Sequence, residues 1–276
     1  MKLIEVQPLI DIISLSLQSA FVKNEQNGIS LILISAPETA KTSSIFNFAN
    51  LNFVGYYDEV TQKRLLDDFL PQVKAKQKRT LLIPDLINCI EKQRSTREQF
   101  LSIIKSGIDD TGIMKIETYH KHFDLREIGL MKEIRGLRFN LITAITATSF
   151  NMIKRKLIAT GLLSRFLPFT YQYPIDKVMK IFKMIETERG ENSVTIPKIN
   201  KQYVTVKCRS RHLTNFQVVS QNLGRQYEGY GIRAHIMFRR LLKASALLDK
   251  RKETENKDVD RIMGLVKWIN FDFNPL

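Results

Sequence analysis

Residues 31–44 read LILISAPETAKTSS, in which an apolar run meets a short polar turn that ends in lysine and threonine. A phosphate-binding loop follows a strand, opens a helix and ends in Gly-Lys-Ser/Thr, so that the lysine neutralises phosphate and the hydroxyl binds Mg²⁺. In this chain serine and alanine stand where such a loop has its two glycines. The candidate phosphate-binding residues are Ser35, Pro37, Thr39, Ala40, Lys41, Thr42 and Ser43.

The two missing glycines weaken this prediction unequally. Ala40 is a mild replacement if its φ stays negative, whereas Ser35 is the greater departure because a loop glycine often supplies a positive φ. Glu38 places a negative charge beside the expected phosphates. An ordinary turn between a strand and a helix is the alternative interpretation.

A second polar residue follows another apolar run, in TLLIPDL at residues 80–86. A nucleotide hydrolase places an acidic residue at the end of a buried strand to hold Mg²⁺, and Asp85 has that position. Many such enzymes then have a glutamate that activates water, but here the next residue is Leu86, which cannot accept a proton. The alternative for Asp85 is a helix N-cap.

Four further residues have positions that suit contact with a nucleotide. Thr146 and Thr148 lie at the end of the stretch LITAITATS, where a hydroxyl can reach a γ-phosphate or water. Arg165 precedes the last predicted strand and could act on the nucleotide of a neighbouring subunit. Arg233 lies near the start of an amphipathic helix at 231–248. Each has an ordinary alternative: a strand threonine, a surface arginine and an incidental basic residue.

Apolar runs and breaks predict the elements that must position these side chains. Buried strands are expected at 29–35, 80–86, 137–146 and 169–174, and a hairpin within 112–128. Helices are expected at 4–22 (amphipathic), 59–76, 87–106 and within 152–166, and the pattern after 174 is helical apart from 194–206. Alternating strands and helices imply a parallel sheet. We therefore predict an α/β domain at 1–175, with residues 1–28 as an N-terminal helical segment, and a helical domain at 176–276.

Taken in order, these motifs resemble an AAA+ ATPase, most of all the minichromosome maintenance (MCM) helicases. The similar stretches are SAPETAKTS, GLLSRFLPF, the spacing of Arg233 from Arg240-Leu241, and DVDRIMGLV at 258–266. The resemblance covers about 30–270. It implies a P-loop core with a five-stranded parallel sheet, a helical C-terminal lid, and nucleotide sites between subunits of an oligomer.

The resemblance also assigns roles. Lys41 would bind phosphate, and Thr42 and Asp85 would hold Mg²⁺. Thr146 would be the first sensor and Arg233 the second, and Arg165 would be an arginine finger acting in trans. ATP and Mg²⁺ are thus the implied cofactors, with hydrolysis weak or absent because the glycines and the catalytic glutamate are missing.

The charge favours a polyanionic partner. The 276 residues carry a net charge of +15, and residues 1–60 hold three basic and six acidic residues, so the remainder carries +18. The related helicases contact DNA with a hairpin whose expected tip here holds Tyr119, His120, Lys121 and His122, although these could also be solvated loop residues. The other nucleic-acid candidates are Lys154, Arg155, Lys156, Arg209 and Arg211, together with the basic stretches at 74–79 and 239–243.

Three functions remain open. The first is an oligomeric, DNA-binding AAA+ protein of replication or of a mobile element. The second is a nucleotide-free, degenerate AAA+ module that serves as a DNA-binding or scaffolding subunit beside an active AAA+ partner. The third is an NTPase that remodels proteins. Two cysteines give no metal-binding spacing, no apolar run approaches the length of about 20 residues that a membrane span needs, and a cytoplasmic location is expected.

Overall fold

The computed structural model describes residues 6–111, 113–118, 130–135, 137–187 and 194–272. The protein is α/β, and its main sheet has five strands, all parallel, in the order β2-β3-β6-β1-β7. A separate antiparallel hairpin is formed by β4 and β5. The strands are β1 (Ser30–Ser35), β2 (Val54–Tyr56), β3 (Thr80–Ile83), β4 (Ile113–Thr118), β5 (Leu130–Arg135), β6 (Asn140–Thr146) and β7 (Phe166–Thr170).

Helices surround the sheet and make up most of the chain after it. They are α1 (Gln7–Ser19), α2 (Lys41–Phe46), α3 (Gln62–Arg64), α4 (Leu70–Lys74), α5 (Ile87–Ile90), α6 (Arg94–Gly107), α7 (Ala147–Ala159), α8 (Ile175–Glu186), α9 (Ser210–Thr214), α10 (Gln217–Gln226), α11 (Tyr230–Leu248) and α12 (Asn256–Val266). A π-helical turn at Leu65–Phe69 joins α3 to α4, and a 3-10 turn at Leu163–Arg165 precedes β7. In the described part of the chain, no helix is long and apolar enough to cross a bilayer.

The centre of the sheet explains why its strands read as continuous apolar runs. Every residue of β1 and β3 is buried, because helices cover both faces of a parallel sheet. Leu33 of β1 is paired with Ala144 on one side and Phe169 on the other. Pro168 lies in β7, which is an edge strand of the sheet, where a missing backbone N–H costs least.

The connections that leave β1 and β6 run in opposite directions across the sheet. From β1 the chain crosses to β2 at one edge, and from β6 it crosses over β1 to β7 at the other edge. Right-handed crossovers therefore place α2 and α7 on opposite faces and open a crevice at the carboxyl ends of these two strands. Ser35 and Thr146 are paired at this edge.

Helix α1 differs from the amphipathic helix that the sequence predicts, because it is buried nearly all round. It packs against the sheet and against α11, so both of its faces are covered. Among its buried polar residues, the Ser14 hydroxyl has no hydrogen-bond partner in the described part of the chain, whereas the Ser16 hydroxyl donates to the carbonyl of Ile29 at 2.7 Å. The Gln18 amide donates to the carbonyl of Asn200 at 2.9 Å. One continuous cluster of buried apolar side chains includes residues on both sides of position 175.

Several predicted boundaries are corrected. Strand β2 was not predicted, since VGY is too short to give a pattern. The last strand begins at Phe166 rather than at 169. The helix predicted at 87–106 is two helices separated by residues 91–93, and the one predicted at 59–76 is interrupted by the π-helical turn. A hairpin is confirmed, with its second strand further along the chain than expected.

Candidate functional site

The turn between β1 and α2 contains two residues with left-handed backbone conformations. Glu38 has φ 62° and Ala40 has φ 57°. Ser35, in contrast, is the last residue of β1 and has no unusual φ. The expectation that Ser35 is the more serious glycine replacement is therefore wrong: the position before the lysine adopts the backbone that glycine favours, and alanine adopts it at a cost of about 1 kcal/mol.

The side chain of Lys41 folds back into this turn. Its ammonium group donates to the carbonyls of Ala36 at 2.7 Å and Ser35 at 3.2 Å, and to the hydroxyl of Thr39 at 3.2 Å. The residue is only 9% exposed. Across the described residues it has no salt bridge, so its charge is held by neutral oxygens alone.

Burial lowers the pKa of Lys41 to about 8, and the negative charge of Asp85 raises it in part. The charges of Lys41 and Asp85 thus interact electrostatically, although the two side chains do not form an ion pair. An anion near the ammonium would remove this penalty by favouring the charged form. Lys41 is therefore the residue at this edge of the sheet whose charged form a bound anion would stabilise most directly.

The hydroxyl groups of Ser35 and Thr39 form their hydrogen bonds within the turn itself. Ser35 and Thr39 are hydrogen-bonded to each other, and the Thr39 hydroxyl lies 2.9 Å from the carbonyl of Ala36. Pro37 and Thr42 are exposed, and Ser43 is half-buried. The hydroxyl of Ser44, one turn into α2, is fully buried and has no hydrogen-bond partner among the described residues.

Asp85 lies just beyond the end of β3. One of its carboxylate oxygens accepts the backbone N–H of Ile87, the first residue of α5, at 3.1 Å, although the N-cap of that helix is Leu86 and not Asp85. Leu86 is fully buried, and its backbone N–H donates to the carbonyl of Ala144 at 2.9 Å. The position that a catalytic glutamate would occupy is therefore part of the apolar core and carries no base.

Thr146 ends β6 and caps the next helix. Its hydroxyl accepts the backbone N–H of Ser149 at 3.2 Å and donates to the Ser149 hydroxyl at 2.9 Å. Its backbone pairs with Ser35, at the start of the phosphate-loop turn. The structure thus places Thr146, Lys41 and Asp85 at one edge of the sheet.

The two arginines differ in their surroundings. Arg165 is largely buried and paired with Asp109, to which its Nε donates at 2.7 Å. Burial raises the pKa of Asp109, but hydrogen bonds from Thr111 and Arg165 outweigh it and hold the pKa below its usual value. Arg233, in the first turns of α11, is half-buried and makes no hydrogen bond or ion pair with any described residue.

The residues predicted to contact nucleic acid fall into three groups. His120, Lys121 and His122 lie outside the described residues. Two of the others form salt bridges within the chain: Lys154 with Asp272 at 2.8 Å and Arg209 with Glu253 at 2.9 Å. The remaining three, Arg155, Lys156 and Arg211, are exposed.

Sequence reasoning missed the acidic partners of the basic segments. Asp109 holds Arg165, and Glu25 holds three cations of α11. Neither acidic residue belongs to a local motif, because each meets its partners only through long-range packing. The described residues contain no group of three or more His, Cys, Asp or Glu side chains that could hold a metal ion.

The fold and this edge define an α/β protein with a parallel five-stranded sheet and a lysine, a carboxylate and a threonine gathered where its strands end. Neither protein-family models nor curated proteins give a match to this chain.

Proposed function

We propose that this chain is an AAA+ ATPase-like module that binds the phosphates of a nucleotide at Lys41, with weak or absent hydrolysis. The observation that carries the proposal is the buried ammonium of Lys41, which has no carboxylate partner in the described chain and lies at a sheet edge beside Thr146. A buried charge without a counter-ion is costly, and a bound phosphate would supply that counter-ion.

The strand order supports the same proposal. The strand that leads to Lys41 is flanked by the strand that ends in Thr146, and β3, which leads to Asp85, is the next one along. This is where a phosphate-binding lysine, a sensor and a metal ligand must converge to act on one nucleotide. Ala40 adds the left-handed backbone that the glycine of a phosphate loop supplies.

The residues fit phosphate better than they fit Mg²⁺. Mg²⁺ is usually bound through one or two carboxylates, with water and substrate phosphates as the other ligands. Asp85 would supply one carboxylate and Thr42 one hydroxyl, and one oxygen of Asp85 is already used by the N–H of Ile87. The phosphates of a bound nucleotide and water would therefore have to provide most of the ligands of the metal.

Weak hydrolysis follows from Leu86. A water molecule needs a base to become a nucleophile, and this side chain is apolar and fully buried. A single substitution to glutamate would bury a carboxylate in the core rather than present it to the crevice. Hydrolysis would need a base from another chain, which agrees with the proposed assembly with itself or with an active AAA+ partner.

The predicted role of Arg165 as an arginine finger requires an oligomer, in which it would contact the nucleotide of a neighbouring subunit. To act in trans on a neighbouring nucleotide, its guanidinium would have to leave Asp109. Arg233 has no such partner among the described residues, and its proposed role is contact with a phosphate bound by its own chain. Nucleic acid, with DNA favoured, is the other proposed partner, on the strength of the net charge of +15.

A second function, a nucleotide-free scaffolding or DNA-binding subunit, is favoured by one observation. The hydrogen bonds from Lys41 to the carbonyls of Ser35 and Ala36 already occupy the ammonium group. A turn closed in this way is stable without phosphate, and a nucleotide would have to displace these bonds.

Nucleotide binding separates the two functions. Thermal unfolding would be followed with and without millimolar ATP and Mg²⁺ for the wild type, Lys41→Ala and the exposed control Lys63→Ala. If ATP is present at about 100 times its Kd, the stabilisation is about 2.7 kcal/mol, or a rise in Tm of roughly 5–10 °C. We expect this rise in the wild type and in Lys63→Ala, and its loss in Lys41→Ala. No rise in the wild type would favour the nucleotide-free function.

A further inference from the structure

A cavity of about 370 Å³ lies at the edge of the sheet opposite Lys41. Parallel strands all begin at this edge, and so the residues just before β1, β3 and β6 come together here. Five basic side chains and one tyrosine line it: Lys23, Lys76, Lys78, Arg79, Arg138 and Tyr203. Lys76, Lys78 and Arg79 belong to the basic stretch at 74–79, whereas Lys23, Arg138 and Tyr203 belong to no stretch that the sequence singled out. None of the six residues belongs to the nucleotide site.

None of the five cations takes part in a salt bridge with a described residue. Lys78 donates to the carbonyl of Val54 at 2.5 Å. Arg138 donates to the carbonyls of Gln26 at 3.1 Å and Thr111 at 3.4 Å. These bonds fix the direction of the side chains but leave their charges unbalanced.

One carboxylate also lines the cavity, and it is already neutralised. Glu25 is 8% exposed and is bound from the side of α11. Its partners are Arg239 at 2.9 Å, Arg240 at 3.4 Å and Lys243 at 2.6 Å. The acidic residue therefore cannot offset the five cations, and the cavity is strongly positive.

Arg79 is held between two aromatic rings. Its guanidinium lies 5.4 Å from the centre of the Phe21 ring and 4.8 Å from that of Tyr203. These cation–π contacts hold the guanidinium of Arg79 in place without an ion pair. Tyr203 is 48% exposed, which leaves ring surface available for stacking with a base.

We propose that this cavity binds the phosphate backbone of a single-stranded nucleic acid, with a base against Tyr203. A concave surface with an exposed aromatic ring, and with five cations that have no ion-pair partner among the described residues, has the two features that single-strand binding requires, a charged groove and a stacking surface. The inference rests on the nucleic-acid part of the proposed function and is independent of the nucleotide site.

The test is fluorescence anisotropy with a labelled oligothymidylate of about 20 nucleotides, titrated at several salt concentrations. Single-strand contacts contribute a slope of about −0.7 each in log K against log salt, so five contacts predict about −3.5. The variant Lys23→Gln/Lys76→Gln/Arg138→Gln changes exposed residues only, and its slope should fall to about −1.4. Wild-type affinity should drop about 100-fold between 50 and 200 mM salt, and that of the variant about sevenfold.

Two controls make the result specific. The variant Lys63→Gln/Lys183→Gln/Lys198→Gln removes three exposed positive charges elsewhere and should retain nearly the wild-type slope. Arg155→Gln/Lys156→Gln tests the predicted surface on α7. The proposal is overturned if the cavity variant binds as the wild type does, if the charge control loses as much, or if only the α7 variant loses slope.

Small phosphate compounds are distinguished by competition. Inorganic pyrophosphate should displace the oligonucleotide only at millimolar concentrations, since it occupies few of the contacts. Displacement at micromolar concentrations would show a site for a small phosphate compound and would refute the single-strand proposal. If the wild type binds no oligonucleotide at all, the nucleic-acid part of the proposed function fails as well, whereas ATP-dependent stabilisation would be unaffected.

Discussion

Replacing Lys41 with methionine is expected to stabilise the protein at pH 7 in the absence of nucleotide. The ammonium is buried and has no carboxylate partner among the described residues, so folding must remove a charge from water without a counter-ion. Methionine has a similar length and no charge, and its flexible side chain can fill the same space.

The magnitude follows from the pKa of Lys41, which burial lowers from 10.5 to about 8. At 1.36 kcal/mol per pKa unit, holding the charged form at pH 7 costs about 3 kcal/mol. Methionine cannot donate to the carbonyl of Ser35, and that loss costs about 1–2 kcal/mol. The carbonyl of Ala36 keeps its contact with Thr39. The net expectation is a gain of about 1–2 kcal/mol, or a Tm higher by roughly 2–8 °C.

The dependence on pH gives a sharper test than the absolute stability. Between pH 8 and 10.5 an unfolded lysine keeps its proton, whereas the folded Lys41 has released it. The unfolded state then binds more protons, and so the stability of the wild type rises with pH. Between pH 7 and 9 the wild type should gain about 1.4 kcal/mol relative to Lys41→Met, which lacks the group.

Urea unfolding of the wild type, Lys41→Met and the exposed control Lys63→Met at pH 7, 8 and 9 measures this difference. Lys63→Met should follow the wild type at every pH. A constant difference between the wild type and Lys41→Met would refute the reasoning, because it would mean that Lys41 is not deprotonated on folding in this range. A less stable Lys41→Met at pH 7 would show that its hydrogen bonds outweigh the burial of its charge.

Three further substitutions have expected effects on the free energy of unfolding, each measured by urea titration. Ala40→Gly should stabilise by up to about 1 kcal/mol, because φ is 57° there, and no gain would argue against the left-handed turn. Asp258→Ala should destabilise by about 3–5 kcal/mol, because a fully buried carboxylate is bound by Arg251, and a loss under 1 kcal/mol would contradict the buried pair. Gly107→Ala should destabilise by about 1–3 kcal/mol, because its Cβ would lie 2.0 Å from the ring of Phe139, and a neutral result would show that this ring can move away.

Most of the sheet could be predicted because each long strand carries its own signal. SLILIS and NLITAIT are apolar on both faces, which a strand covered on both sides requires. Strand β2 could not be predicted, since three residues give no periodicity and are held by pairing with β3. The burial of α1 on all sides could not be predicted from the sequence either, because the helix that covers it, α11, lies more than 200 residues further along the chain.

The candidate site was predictable in residue type but not in conformation. Lys41, Asp85 and Thr146 each follow an apolar run, and parallel strands bring such positions to one edge. The conformation of the turn was misjudged, because the positive φ falls on Ala40 and Glu38 and not on Ser35. Local sequence preferences alone do not specify which residue of a polar turn takes the left-handed conformation.

By itself, the sequence determined the α/β class, the parallel sheet and the residue types at its carboxyl edge, since these depend on local patterns of apolar and polar residues. Only the tertiary structure decided which charges are free. Arg165, Lys154 and Arg209 are paired with acidic residues, whereas the cations of the cavity before β1, β3 and β6 form no ion pair with the part of the chain that the structure describes. The physical reason is that an ion pair forms between side chains that folding brings within a few ångströms, and sequence separation does not reveal which ones those are.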